Sequence, residues 1–347
     1  MRTFSIALCA CLVAGLVIAP GASARDTTTT TITLVTHDSF AVSKKVLDEF
    51  TTSTGISVRV LRSGDAGEAL NSAILTKDHP LGDVFFGVDT TFLSRALDAG
   101  IFERYRAAAL DRVTADLRSG TAGRLTPVDR GDVCVNVDTS WFADHDVPVP
   151  SSIDDLTKPA YRGRFVVENP ATSSPGLAFL LATIDRYGDG WRDYWQRLRD
   201  NDVEVVNGWE EAYNGSFTAG GAGGERPLVV SYASSPAAAV YYADPRPPSS
   251  PVGTILDGCF RQIEYAGILK GTDHERAARE LVDFMLTRRF QQDIPLQMFV
   301  FPVRDDARLP AVFRFAQVAE SPATVAPERI ERNRERWINE WTDTVLR

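Results

Sequence analysis

Two serines, Ser173 and Ser174, stand directly before Pro175 and a long apolar run with helical spacing. Proline suits the first position of a helix, and serine suits the cap before it. Hydroxyls and free backbone N–H groups then gather at a helix N-terminus, which is a seat for an anion. The plainer alternative is a cap at Ser174 with Ser173 solvated. Trp209 in NGWEEAY and Tyr232 in SYASSP also end apolar stretches and open helices. Trp209 could instead be a lid over a domain edge. Together these residues describe a site where aromatics hold a flat ring and serines hold an anion or hydroxyl. Asp65 and Asp38 supply negative charge for a cation, to which Trp209 or Tyr232 would offer a π-face.

Catalytic and metal chemistry have weaker signatures. The chain has no G-x-S-x-G elbow, no P-loop and no G-x-G-x-x-G after a strand, so no cofactor is implied. A triad could be assembled from Ser173, His37 and Asp65, which keeps a secreted serine hydrolase as an alternative, but no spacing demands it. Tyr241-Tyr242 is a pair of the kind that binds ferric iron as phenolates; the simpler reading packs one of them in the core. Cys134 and Cys259 with the scattered His37, His79, His145 and His274 make no zinc pattern.

These residues need a scaffold, and the 347-residue chain supplies the pattern of one. Met1-Arg2, an apolar run to about Pro20 and Ala22-Ser23-Ala24 read as a signal peptide, residues 1–24, with the mature chain beginning at Arg25. Cys11 has Leu8 and Ala10 at lipobox-like spacing, but the apolar run before it is too short for a lipoprotein signal. No second long apolar run follows. The mature chain is expected to be soluble, extracytoplasmic and monomeric. Residues 25–31 form a polar tail. The rest alternates strand and helix patterns. TITLVTHDSF, ISVRVLRSGD and GDVFFGVDT are strands separated by helical segments, a βαβαβ order that predicts a parallel sheet flanked by helices. Ligands of such sheets sit at the carboxyl ends of strands, where His37, Asp38 and Asp65 fall.

After a Pro-rich connector at 146–152 a second α/β unit begins, and CFRQIEYAGIL returns as a long strand. The fold expected is α/β with two lobes, each a mainly parallel sheet flanked by helices. Residues 32–130 with 264–305 form lobe 1, residues 131–263 form lobe 2, and 306–347 form a C-terminal helical segment. A single amphipathic helix is expected over 274–294. Cys134 and Cys259 fall on the two crossing strands. In an oxidising compartment they are expected to pair, the alternative being two buried free thiols. A net charge of −9 without a basic stripe argues against nucleic acid and mildly favours a cationic ligand.

At these residues the chain resembles the thiamine-binding proteins of bacterial ABC importers, within the periplasmic solute-binding proteins. THDSF, GVDTTFLSRALDAGIF, NPATSSPGLAFLL, NGWEEAY, LVVSYASSP and IPLQMFVFPV are similar to the family's segments in order, over roughly residues 32–345. The resemblance implies two α/β lobes closing on a ligand, delivery to an ABC permease, and no catalysis. It implies that Asp65 and Ala66 line the site from the first lobe. Ser173 and Ser174 would receive the phosphate or hydroxyethyl end, and Trp209 the ring. Tyr232, Ala233, Ser234, Ser235 and Pro236 would complete the second lobe. The chain departs from the family pattern at His37, Ala66, Ala238 and Phe299, where tyrosine, glycine, tyrosine and tryptophan are usual, and in the shortened AVSKK. His37 and Phe299 remain candidates for stacking. A ferric-ion or phosphonate binder of the same fold is the alternative within binding proteins.

Overall fold

The computed structural model describes residues 29–118 and 120–347. The expected signal segment, residues 1–24, lies outside them, as do residues 25–28 of the expected tail. The strands are β1 (Thr30–Thr36), β2 (Ile56–Arg62), β3 (Val84–Asp89), β4 (Thr126–Asp138), β5 (Phe165–Glu168), β6 (Glu204–Val206), β7 (Leu228–Tyr232), β8 (Val252–Ile268) and β9 (Phe301–Pro302). The helices are α1 (Lys44–Thr54), α2 (Ala66–Leu75), α3 (Leu93–Asp98), α4 (Thr139–Asp144), α5 (Ser174–Tyr187), α6 (Trp191–Asp200), α7 (Ser235–Tyr242), α8 (Glu275–Met285), α9 (Arg288–Gln291), α10 (Ile294–Gln297) and α11 (Pro327–Val345).

One sheet runs in the order β2-β1-β3-β8-β4-β7-β5-β6, with β9 on β4. Its outer parts are parallel: β1 pairs with β2 and β3, and β5 with β6 and β7. Parallel strands need covered crossovers, and α1 and α2 provide them in the first part. The two long strands β4 and β8 lie antiparallel between the two parts and belong to both. The result is two α/β lobes on one interrupted sheet, as the strand–helix alternation predicts.

Three elements differ from the sequence expectation. The helix expected over 274–294 is broken into α8, α9 and α10. Thr287 breaks it by capping a new turn, its hydroxyl accepting from the N–H of Phe290 at 3.3 Å. The helix opening at Ser174 is capped one residue earlier than expected, at Ser173. The turn after Trp209 is a π-helix, Glu210–Ser216, rather than an α-helix.

The C-terminal helix α11 lies across both lobes. Trp341 is fully buried edge-on to Trp195 of α6, with ring centroids 5.5 Å apart. One turn and more before it, the Arg334 guanidinium sits over Phe92, at the head of α3 in the other lobe, 5.8 Å from the ring centroid. The Arg199 guanidinium of α6 donates to the carbonyl of Thr344.

Cys134 of β4 and Cys259 of β8 form the expected disulfide, with Cα atoms 4.4 Å apart. It stands where the β4–β8 ladder shifts register between Val133 and Val135. The bridge closes a loop of 125 residues, so it removes much freedom from the unfolded chain. Denatured, unreduced protein beginning at Arg25 should show no reactive thiol. Replacing both cysteines by serine should cost roughly 2–5 kcal/mol in guanidinium unfolding. Two titratable thiols, or an unchanged midpoint, would contradict this.

Candidate ligand cleft

The carboxyl ends of β1 and β2, the heads of α2 and α5, the π-helix, the end of β7 and the head of α7 surround a cleft of about 660 Å³. His37, Asp38, Asp65, Ala66, Ser174, Trp209, Tyr232, Ser235 and Phe299 all line it. Four further candidates do not. Ser173 is fully buried behind the helix head, and its Oγ has no hydrogen-bond partner among the described residues. Ser234 is buried in the same unpartnered way. Ala233 follows Tyr232 on the opposite side of the chain and packs against Cys134 and Cys259. Pro236 is buried in the first turn of α7.

The helix head at Ser174 is an anion seat, and the protein fills it itself. Asp65 caps α2 through the N–H of Ala66 at 2.6 Å. The same carboxylate reaches across the cleft to accept from the N–H of Ser174 at 3.3 Å and of Trp209 at 2.9 Å. A side chain of the first lobe thus caps two helical starts of the second. Close approach makes this possible: a Cβ on Gly67 would lie 2.5 Å from the carbonyl oxygen of Thr172. The Ser174 hydroxyl is also taken. It donates to Asp89 and accepts from the Gln262 amide at 2.6 Å, and Gln262 in turn accepts from the Tyr232 hydroxyl at 3.1 Å. In this structure the seat that the sequence offers to the phosphate or hydroxyethyl end of a ligand is taken at Ser174 by the protein's own groups, and Ser173 does not reach the cleft. One serine is buried out of reach, and the other already serves two carboxylates. The Ser173–His37–Asp65 triad is not assembled either, because His37 pairs with Glu264 and Asp65 with backbone amides.

Aromatic faces form the second wall. Trp209 stacks on Tyr213 at 5.1 Å and 13°, tilts toward Tyr232 at 6.5 Å, and donates from Nε1 to Ser231 at 2.9 Å. That bond fixes the indole plane. A π-helix inserts an extra residue per turn and often re-aims side chains at functional positions. Phe299, held at φ 54°, packs with Tyr241 and Tyr242 at 5.6 and 5.5 Å across the mouth. Tyr242 is exposed and lines the cleft, whereas Tyr241 is partly buried. Tyr242 thus adds an aromatic face to the cleft, while Tyr241 packs behind Phe299.

Residues 79–321 match the family model described as bacterial extracellular solute-binding protein. The chain belongs to that family. The solute-binding protein is 29% identical over 336 residues to the thiamine-binding periplasmic protein of Brucella suis, covering 95% of each chain. It is 28% identical over 321 residues to the thiamine-binding periplasmic protein of Salmonella typhimurium, covering 91% of this chain and 94% of the other. A solved periplasmic thiamin binding protein superposes with a TM-score of 0.80 at 26% identity, over 91% of this chain and 96% of its own.

Sequence reasoning missed several residues lining this solute-binding protein's cleft: Arg62, Glu210, Tyr213, Tyr242, Met298 and, above all, Glu264. Tyr213 was reachable, since it lies four residues after Trp209 on one helical face. Glu264 was the polar interruption in the long strand QIEYAGI. It sits opposite Asp89 of β3 on one side and Asp129 of β4 on the other. Directly opposite residues of antiparallel strands share a face, so three carboxyls stand in a row. They do not all ionise. Burial, then the charge of Glu264, raises Asp129 well above the usual carboxylate range and so favours its neutral form beside Glu264. Burial would raise Glu264 too, but His37, with Nε2 3.2 Å from Oε1, holds it down. Burial pushes Asp89 up to about 6 against the hydrogen bonds from Ser174 and Thr91.

Asp89 has a consequence for stability. Its unfolded value is near 3.8 and its folded value about 6. Between these the folded state binds the extra proton, so stability falls as pH rises through the window and stays low above it. The loss is on the order of 2–3 kcal/mol when complete. Thermal unfolding of wild type and Asp89→Asn from pH 4 to 7 should show the difference moving in the variant's favour by about that amount. A difference that does not change with pH would refute the assignment.

Proposed function

We propose that this chain is the extracytoplasmic binding component of an ABC importer, holding thiamine between its lobes and presenting it to a membrane permease. The observation that carries the reading is an acidic cleft walled by aromatic rings: Trp209, Tyr232, Tyr242 and Phe299 beside Asp38, Glu210 and Glu264. Thiamine is a flat-ringed permanent cation, and such a wall suits it by stacking and cation–π attraction. The thiamine-binding relatives support the same ligand. Lobe 1, residues 32–130 with 264–305, and lobe 2, residues 131–263, would close by a shift in a pre-existing equilibrium. The ligand would be carried unchanged, without cofactor or metal, by a monomer that has no use for nucleic acid. Residues 1–24 would direct export. The filled helix head at Ser174 and the acidic wall favour thiamine itself over its phosphate esters.

Calorimetric titration of ligand-stripped protein tests this. Thiamine should bind one to one at roughly micromolar or tighter affinity, ahead of its mono- and diphosphate. Trp209→Ala should weaken it by about 1–3 kcal/mol, the worth of a buried stacking surface. Absence of heat with all three ligands would sink the reading, and an unaffected Trp209→Ala would remove the indole from the site.

A further inference from the structure

We propose that the His37–Glu264 pair is an exchangeable counterion: an organic cation entering the cleft takes over Glu264, and His37 gives its proton to solvent. This rests on the reading that the cleft holds a cation of the thiamine type, and says how the protein balances that charge.

Two other buried acids beside the cleft are already committed to protein donors. Asp65 accepts three backbone N–H groups, and Asp89 accepts from Ser174 and from the Thr91 N–H at 2.6 Å. Asp129, opposite Glu264 on β4, is pushed toward its neutral form by burial and by the charge of Glu264. Glu264 lines the cleft as a carboxylate whose one cationic partner among the described residues is the His37 ring. The two side chains are only 12% and 14% exposed. A further full charge there without compensation would be a poorly solvated, unpaired ion, which proteins avoid. Loss of one proton as one cation enters keeps the sum constant. No covalent bond changes: the imidazolium becomes imidazole and the carboxylate changes partner.

The seat of the ring is built in. Gly87 holds φ at 107°, and a Cβ there would lie 2.6 Å from His37 Cδ2. The ring therefore lies against bare backbone, 5.6 Å from Phe86, with its Nε2 edge to Glu264. Burial lowers the affinity of His37 for its proton, but Glu264 of β8, Asp65 of α2 and Asp38 of its own turn together raise it above the ordinary histidine value. Asp89 and Asp129 flank Glu264 from β3 and β4. Arg62, the fixed cation of the lining, donates to the carbonyls of Asp38 and Phe40. Tyr232 faces the group from β7.

The test is calorimetry of the exported chain with thiamine at pH 6 and pH 8, in buffers of different ionisation enthalpy. Wild type should release close to one proton per ligand at pH 6 and less at pH 8. Its affinity should rise by up to about tenfold per pH unit below the His37 titration. His37→Gln should bind without proton release and without that slope. Glu264→Gln should lose about tenfold or more for thiamine and little for thiochrome, its neutral tricyclic oxidation product. No proton release by wild type, the same release by His37→Gln, or equal losses for both ligands in Glu264→Gln would overturn the exchange while leaving the thiamine reading intact. Failure of wild type to bind thiamine would instead remove that reading. The exchange is then judged with N-methylpyridinium at millimolar concentration. The His37 ring resonances must shift toward the neutral form, and unmoved resonances overturn it.

Discussion

The Asp65 carboxylate holds the cleft in its shape. It caps its own helix and two helical starts of the facing lobe at once, so one anion replaces the separate caps that α5 and the π-helix lack from their own side chains. Unsatisfied N–H groups at a helix head and an unsolvated carboxylate are each costly to bury. Brought together, they satisfy one another. The arrangement exists only while the lobes are in contact, so the caps are an energy of closure as much as of folding. The small residues around it follow from the same need: Gly67 and Gly208 are positions where a larger side chain would push the lobes apart or crowd the carboxylate.

Around that contact the molecule concentrates acids where β8 crosses between its neighbours. Three carboxyls opposite one another would repel if all were charged. The solution is graded: Asp129 is pushed well up toward its neutral form, Asp89 up to about 6, and Glu264 is held down because His37 faces it. Burial separates their behaviour, so one charge remains and it points into the cleft. Such a row is poor for stability on its own, and it stands beside the cleft, the kind of place where local rules are commonly broken.

The architecture was largely legible in the sequence because alternation of strand and helix has few solutions. The disulfide followed from two cysteines on two crossing strands. The aromatics Trp209 and Tyr232 were legible because both sit where apolar strands end. What stayed illegible depends on partners that lie far away in the chain. A serine beside a helix start looks the same whether its partner is a ligand or a carboxylate 109 residues away in the chain. The helix head offers an anion seat, and in the structure Asp65 and Asp89 take the N–H and hydroxyl of Ser174. Glu264 was hidden for a related reason: the burial of β8 does not alternate regularly along the strand, and only pairing with Asp89 and Asp129 reveals the residue. The π-helix after Trp209 also escaped, since its extra residue leaves no mark in apolar spacing.

The position of the Cys134–Cys259 bridge limits how such a molecule can move. Covalently joined at their irregular point, β4 and β8 cannot slide along one another by a residue, because a slip would carry the two sulfurs apart. Shear between the crossing strands is therefore closed as a route. What is left is bending of the paired ribbon as a unit beyond the bridge, so that β4 and β8 act as a leaf spring clamped at one point rather than as two rails.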